Sequence, residues 1–118
     1  MKTTLLLLLF PALVHAGDDW SITDKALFAT SSALLVIDWG QTRYIAKHPN
    51  RFYEKNVLLG KHPSVRAVNA YFIGALVGNY LLTDRLDRPY RTYFQAGLIG
   101  LELVVTASNK KIGIRIQF

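Results

Sequence analysis

Three long apolar stretches separated by short polar passages constrain this chain more than any other feature of its sequence. The most continuous stretch, residues 67–82, is interrupted only by Asn69 and Asn79. An apolar helix of roughly 20 residues is what the hydrocarbon core of a bilayer requires. The chain is 51% apolar yet has a formal charge of +6, and its charges cluster between the apolar stretches, as in multi-pass membrane proteins. The pattern predicts an all-α integral membrane bundle in one domain.

Residues 1–16 have the layout of a secretory signal peptide. Lys2 precedes a short apolar core, and Val14 and Ala16 occupy the −3 and −1 positions of a cleavage site. The core is shorter than the roughly 20 residues that span a bilayer. We expect cleavage after Ala16, which leaves residues 17–118 as a single transmembrane domain with three spans. An uncleaved signal would make four spans.

Helix-boundary signals divide the remaining chain into three spans and a basic loop. Thr23 or Asp24 is the expected cap of the first span, and Pro63 and Pro89 stand where prolines begin helices. Turn-forming residues set the loop apart, and part of it, residues 52–59, has the composition of a short interfacial helix. The predicted segments are a span at about 22–46, the loop at 47–63, and spans at about 64–83 and 89–109.

The distribution of Lys and Arg predicts the orientation of the spans. With residue 17 outside the cytoplasm, nine basic residues lie on the cytoplasmic side and four on the other side. We therefore expect a multi-pass protein of the bacterial inner (cytoplasmic) membrane with its C-terminus in the cytoplasm. The nine are Arg43, Lys47, Arg51, Lys55, Lys61, Arg66, Lys110, Lys111 and Arg115.

Two other classes of protein fit the sequence less well. The last residues alternate between apolar and polar and end in Phe118, like a strand of an outer-membrane barrel. An eight-stranded barrel, however, needs roughly 10 residues per strand, and residues 71–77 show no period of two. A nucleic-acid partner is not expected, because no basic stripe with interleaved aromatic residues follows one element. The tail is expected to be an interfacial strand or a disordered end.

Small residues recur at helical spacing on the second and third spans. Ala70, Gly74 and Gly78 are four residues apart, and Gly97 and Gly100 lie in the third span. Such ridges let a second helix approach closely within a membrane, whereas interior glycines destabilise a soluble helix by about 1 kcal/mol each. The spacing predicts helix packing through these five positions.

Polar residues within the spans predict a cluster on the cytoplasmic half of the bundle. Gln95 and Glu102 are seven residues apart and share a face of the third span, which runs parallel to the first. One interpretation is that the cluster holds the helices together, with the acids paired to Arg43, Arg66 or amide side chains. The other is a functional site: a proton-binding acid, a small-substrate pocket or a hydrolytic centre. The predicted members of the cluster are Asp38, Gln41, Asn69, Gln95 and Glu102.

The loop carries a second group of residues that are able to do chemistry: His48, Glu54, Asn56 and His62. Their spacing matches no zinc motif, and we expect no metal and no cofactor. The two histidines are interpreted as turn and interface residues. If the chain were an enzyme, which we do not favour, its candidate catalytic residues would be Asp38, His62 and Glu102.

A set of short motifs is distributed along most of the chain after residue 16: D-W-G-Q-T at 38–42, Y-E-K-N at 53–56, L-G-K-H-P-S at 59–64, V-N-A-Y-F at 68–72, R-T-Y-F-Q at 91–95, and Glu102. With these motifs the sequence resembles a group of small, uncharacterised multi-pass membrane proteins of bacteria and their phages. This resemblance implies a helical inner-membrane protein and no particular activity, and it groups Asp38, Gln41, Glu54, Asn56, His62 and Glu102 into one constellation. The group often has Pro after E-x-N, where this chain has Val57.

The favoured function is a small structural or accessory membrane component. It would act by packing helices with a second copy of itself or with a larger membrane complex, in contact with the lipid bilayer. One alternative is a membrane-embedded enzyme or proton-linked carrier that uses Asp38 and Glu102, with His62 as a base. A second alternative is a phage-type protein that permeabilises membranes.

Overall fold

A computed structural model describes residues 17–118, so the predicted signal peptide lies outside the described part of the chain. The described residues form three α-helices and no strand, which confirms the predicted all-α architecture. Each helix boundary lies within two residues of its predicted position. The helices are α1 (Ile22–Lys47), α2 (Val65–Arg85) and α3 (Tyr90–Lys111).

The cap of α1 is Ser21, and not Thr23 or Asp24 as expected. The Ser21 hydroxyl accepts a hydrogen bond from the Asp24 backbone N–H at 3.0 Å, and the Asp24 carboxylate accepts one from the Ser21 N–H at 3.0 Å. This reciprocal pair is a capping box, which satisfies two backbone donors that the helix leaves free. Ser64 caps α2 in the simpler way, through the Ala67 N–H at 3.1 Å.

Helix α1 is the centre of the bundle. It packs extensively against both α2 and α3, which contact each other far less. Hydrogen bonds join Asp24 to Arg91 near the N-termini of α1 and α3, and Gln41 to Thr106 near their C-termini. These two helices are therefore parallel, with α2 antiparallel to both, and a gap is left where α2 and α3 diverge.

The loop between α1 and α2 is built from turns, so the interfacial helix expected at residues 52–59 was wrong. The Glu54 N–H donates to the Lys61 carbonyl at 2.8 Å, and the Asn56 carbonyl accepts from the N–H of Gly60 at 3.1 Å. Gly60 has a φ of 80°, a left-handed conformation that glycine adopts without steric cost.

The tail after α3 packs against α1, and is neither a strand nor a disordered end. Its Ile114 is 5% exposed, and its Gln117 N–H donates to the Gly40 carbonyl at 3.0 Å. Phe118 meets the Trp39 ring edge-on, with centroids 5.7 Å apart. Gly40 makes this docking possible, because a Cβ there would collide with the side chains of Ile116 and Phe118.

The interior of the bundle is polar and its exterior is apolar. The buried apolar residues are Leu35, Ile45, Val68, Phe72 and Ile114. They are outnumbered by buried polar residues, while side chains such as Ile73, Leu101 and Val104 are more than half exposed. The buried polar residues are Asp24, Ser31, Asp38, Gln41, Thr42, Asn79, Thr83, Arg91, Gln95, Glu102 and Thr106.

By length and composition, one helix of residues 17–118, α2, is able to cross a membrane. Only 17% of its most apolar window is buried, so α2 differs from the buried core helix of a soluble protein. Helices α1 and α3 are also longer than 20 residues. Their mean hydropathy is lowered by polar residues such as Asp38 and Glu102, which lie on their buried faces.

Candidate functional site

The buried polar residues are arranged in three layers along the bundle, and the first is centred on Arg91. We call this the arginine layer: Arg91, Asp24 and the chain around Asp18. The Arg91 side chain is fully buried. Its Nε donates to the Thr83 carbonyl at 2.6 Å, its Nη1 to the Asp24 carboxylate at 3.0 Å, and its Nη2 to the Asp18 carbonyl at 2.6 Å. The guanidinium therefore ties the residues before α1 to the α2–α3 hairpin.

A second arginine contributes to the same layer from the surface. Arg88 donates to the Asp24 carboxylate at 2.8 Å, and this hydrogen bond raises the pKa of the Arg88 guanidinium. From the sequence, both arginines were counted among the basic residues outside the cytoplasm, and a buried site was predicted for neither. The signal that identifies Arg91 is its position one helical turn before Gln95, on the buried stripe of α3.

The second layer, which we call the amide layer, consists of Ser31, Asn79, Thr83 and Gln95. The Gln95 amide donates to Asn79 Oδ1 at 2.8 Å and to Thr83 Oγ1 at 2.6 Å, and the Asn79 amide donates to Ser31 Oγ at 2.9 Å. These bonds connect all three helices. Gln95 was expected beside Asp38, but it belongs to this separate layer.

The third layer, the carboxyl layer, brings together Asp38 and Glu102, which are 8% and 7% exposed. Their carboxyl groups lie within hydrogen-bonding reach of each other, and a hydrogen bond between them requires that one of them carries a proton. Thr42 Oγ1 also donates to Asp38 Oδ1 at 3.1 Å. Glu102 Oε2 is buried without an N–H or O–H donor among the described residues.

Amide side chains close the carboxyl layer on the side towards the tail. The Gln41 amide donates to the Thr106 carbonyl at 3.0 Å, and the Asn109 amide donates to Gln41 Oε1 at 3.0 Å. Gln41 therefore lies beside the carboxyl pair, as the sequence indicated, and holds α1 to α3 without bonding either carboxyl group.

No basic side chain of residues 17–118 forms an ion pair with Asp38 or Glu102. Arg43, expected to neutralise them, donates instead to Asn69 Oδ1 at 2.7 Å and to the Gln117 carbonyl at 3.3 Å. Trp39 Nε1 also donates to Asn69, at 2.9 Å. Asn69 thus binds Arg43 and Trp39 away from the carboxyl pair. Arg66, the other expected partner, is exposed.

A cleft of about 590 Å³ lies between α2 and α3 beside the carboxyl layer. Loop residues 54–57 form one wall, Tyr71 is the lining residue of α2, and the rest of the lining belongs to α3. Its walls are apolar at Tyr71, Leu101 and Val104, and polar at Glu54, Asn56 and Glu102. The carboxyl pair is therefore accessible from the side of the bundle through Glu102.

The structure separates the four residues of the predicted loop constellation. Glu54 and Asn56 reach the cleft, and Glu54 is held by backbone N–H groups of Lys55 and Asn56 at 2.9 and 3.0 Å. His48 ends α1, with its ring Nδ1 2.8 Å from the Tyr44 carbonyl. His62 is exposed and does not line the cleft, so it is not beside Asp38 and Glu102.

The predicted helix-packing residues are not used to pack the three helices against each other. A Cβ added at Gly74, Gly78, Gly97 or Gly100 would meet nothing within 4 Å. Ala70 is also exposed. The small-residue surfaces of α2 and α3 are therefore open on the outside of the described structure.

No protein-family model matches this chain, and neither a curated protein nor a solved structure is significantly similar to it. The chemistry of the site must be inferred from its geometry. Within the described residues, no group of three or more His, Asp or Glu side chains is arranged to hold a metal ion. A protonated carboxyl pair beside an apolar cleft can bind a hydrogen-bond donor, bind a cation or exchange a proton.

Proposed function

We propose that this protein is a three-span helical protein of the bacterial inner membrane. The observation that carries the proposal is the reversed distribution of polarity, with ionised and amide side chains inside and large apolar side chains outside. Soluble proteins rarely expose extended apolar surface, and a lipid environment removes its cost. Within a membrane, polar side chains face the bundle interior and bond to one another, as the three layers do here.

The dimensions of the bundle support the placement. The helices have 26, 21 and 22 residues, which at 1.5 Å per residue makes each at least about 31 Å long. The hydrocarbon core is about 30 Å thick, and the bilayer with its headgroups measures about 40–45 Å. The longest dimension of the structure is 45 Å.

Charged and aromatic residues support an orientation with the C-terminus in the cytoplasm. Nine of the 14 Lys and Arg residues lie in the loop between α1 and α2, in the tail, or in the helix ends that adjoin them, as in cytoplasmic segments. Trp20 and Tyr90 lie at one end of the bundle, and Tyr44 and Phe52 pack together at the other. Aromatic residues at both ends are typical of the two membrane interfaces.

Within the membrane, the protein acts as a structural or accessory component that binds a second copy or a larger membrane partner. The open small-residue surfaces support this function. Gly74 and Gly100 leave the backbone of α2 and α3 accessible to another helix, and close backbone approach is the main source of helix association in lipid. Since the bundle does not use these glycines internally, a partner helix accounts for them.

The experiment combines membrane extraction with cross-linking of the full chain in bacterial membranes. We expect the protein to resist alkaline carbonate and to form cross-linked species that Gly74→Leu or Gly100→Leu abolishes. Ala33→Leu, on the exposed face of α1, is the matched control and should leave these species intact. Release by carbonate would contradict the membrane-spanning placement. Cross-linked species that persist in both glycine variants would contradict the role of this packing surface.

A proton-linked carrier or membrane-embedded enzyme is the second candidate, favoured by the access of Glu102 to the cleft. It predicts that Glu102→Gln and Asp38→Asn abolish function while Gly74→Leu does not. The same strains also test the phage-type alternative, since a permeabilising protein would depolarise cells on expression alone. Membrane potential, measured with a voltage-sensitive dye, distinguishes the permeabilising protein from the other candidate functions.

A further inference from the structure

The cleft between α2 and α3 has the chemistry of a ligand site. We propose that it binds an amphiphile with a protonated amine head, whose ammonium group lies between Glu102 and Glu54. The apolar part of the ligand lies along Leu101, Val104 and Tyr71. The proposal depends on membrane placement only for the source of the amphiphile.

The first argument is the unsatisfied state of Glu102. This side chain is 7% exposed and lines the cleft, and its Oε2 has no N–H or O–H donor among residues 17–118. A buried acceptor without a donor is costly. Thr42 and the amide of Gln41 are occupied by Asp38 and by the Thr106 carbonyl. Apart from the proton that it shares with Asp38, Glu102 therefore has no donor among the described residues, and a ligand can supply one to Oε2.

The second argument is charge. Glu54 and Glu102 line the same cleft. Lys55 also lines it, but forms no ion pair with either carboxyl group within the described residues. The carboxyl pair has no basic partner within residues 17–118. An ammonium group supplies three donors and a positive charge, so it satisfies both carboxylates at once. A neutral hydroxyl would satisfy only one oxygen and leave the charge uncompensated.

The third argument is the shape and lining of the cleft. Its volume of about 590 Å³ falls within the roughly 300–1,000 Å³ of small-molecule sites. Leu101 and Val104 are 60% and 66% exposed, so the apolar wall continues onto the outer surface of α3. A ligand with a polar head inside and an apolar chain leading outwards matches this gradient.

The test is calorimetric titration of the full chain in maltoside micelles with octylammonium, using 1-octanol as the neutral control. We expect octylammonium to bind with a Kd at least about tenfold lower than that of 1-octanol, as a charge-assisted hydrogen bond would give. Glu102→Gln should remove this preference, while Asp19→Asn, an exposed acidic residue far from the cleft, should keep it. Equal binding of the two ligands would overturn the proposal.

A second pair of variants keeps the test decisive if Glu102→Gln does not fold. Val104→Trp fills the cleft without changing a charge and should abolish binding. Leu103→Trp adds the same side chain next to it, at a residue that is 52% exposed and outside the cleft lining, and should bind normally. Equal effects of the two tryptophans would also overturn the proposal.

The source of the amine is distinguished by competition, with phosphatidylcholine as the matched lipid control. Displacement of octylammonium by phosphatidylethanolamine alone identifies a lipid headgroup, and failure of both lipids identifies a free amine; both support the proposal. Displacement by both lipids equally shows that the amine is not recognised and overturns it. A chain that carbonate extracts but that still prefers octylammonium would refute the membrane placement alone.

Discussion

The arginine layer and the carboxyl layer solve the same physical problem in opposite ways. Both bury ionisable groups of α1 and α3, at different depths along the bundle. In the arginine layer, Arg91 meets the Asp24 carboxylate and backbone carbonyls, and no part of its side chain is exposed. In the carboxyl layer, Asp38 and Glu102 meet each other and have no basic partner within the described chain.

This difference indicates that the arginine layer stabilises the fold, whereas the carboxyl layer is a candidate functional site. A charge whose donors are all used and whose side chain is fully buried has no capacity left for a ligand. A carboxyl pair with an unpaired oxygen next to a cleft of about 590 Å³ retains that capacity. The buried groups that are incompletely satisfied are therefore the better candidates for function.

The largest expected effect comes from Arg91→Leu. The substitution leaves Asp24 buried with only the exposed Arg88 as a cationic partner, and it strands the carbonyls of Asp18 and Thr83. Removing one partner of a buried ion pair costs about 3–5 kcal/mol. We expect the free energy of unfolding in bicelles to fall by about that amount, measured by denaturant titration of tryptophan fluorescence.

Arg88→Leu is the matched control, since it removes a cation from the same carboxylate at a side chain that is 45% exposed. It should destabilise the protein far less than Arg91→Leu. Equal losses of unfolding free energy for the two variants would show that burial of Arg91 adds nothing to its contribution to stability. The contrast between the two layers would then disappear.

The sequence predicted the three helices and four of the eleven buried polar residues as members of a polar cluster. Helix boundaries were accessible because apolar run length and capping residues are local properties. The seven-residue spacing of Gln95 and Glu102 correctly indicated a buried stripe on α3. The same spacing on α1 links Asp24, Ser31 and Asp38, which are buried at three successive depths.

The partners of Asn69, the cleft and the separation of His62 from Glu102 were not predicted. They depend on which helices contact each other, and the spacing of residues along the sequence does not determine that. Asn69 shares the depth of the carboxyl pair but faces Trp39 and Arg43. The cleft exists because α2 and α3 each pack on α1 and hardly on each other. His62 was grouped with Glu102 by resemblance, yet the turn at Gly60 leaves it on the surface.

Replacing Gly17 or Gly40 by alanine is expected to lower the free energy of unfolding by less than Arg91→Leu does. A Cβ at Gly17 would lie 2.6 Å from the Asp84 carbonyl and 2.8 Å from that of Leu86. Backbone cannot move aside easily, so we expect Gly17→Ala to lower the free energy of unfolding by about 1–3 kcal/mol. At Gly40 the clash is with the ends of the Ile116 and Phe118 side chains.

Side-chain ends can rotate, so Gly40→Ala should cost less than Gly17→Ala and should mainly loosen the tail. Hydrogen exchange of the Gln117 amide, which is bonded to the Gly40 carbonyl, measures this loosening. If Gly40→Ala instead leaves the tail rigid and causes a large loss of stability, the tail packs against α1 at Gly40 as tightly as Gly17 packs against the backbone of Asp84 and Leu86.

The smallest effect on stability is expected from Glu102→Gln, which tests the comparison most sharply. Glutamine has the same shape, and its amide can donate to Asp38 in place of the shared proton. Because the shared proton already neutralises one carboxyl group of the pair, a neutral amide at Glu102 leaves the pair with a single negative charge, as before. We therefore expect the free energy of unfolding to change by less than about 1 kcal/mol.

The physical meaning of that result lies in its contrast with Arg91→Leu, measured by the same titration. If Glu102 were an indispensable structural link, the glutamine would weaken the α1–α3 contact and destabilise the protein by several kcal/mol. Tolerance of the substitution would mean that the carboxylate at this depth contributes little to folding. Its acidity would then have to be explained by what enters the cleft, and not by the packing of the bundle.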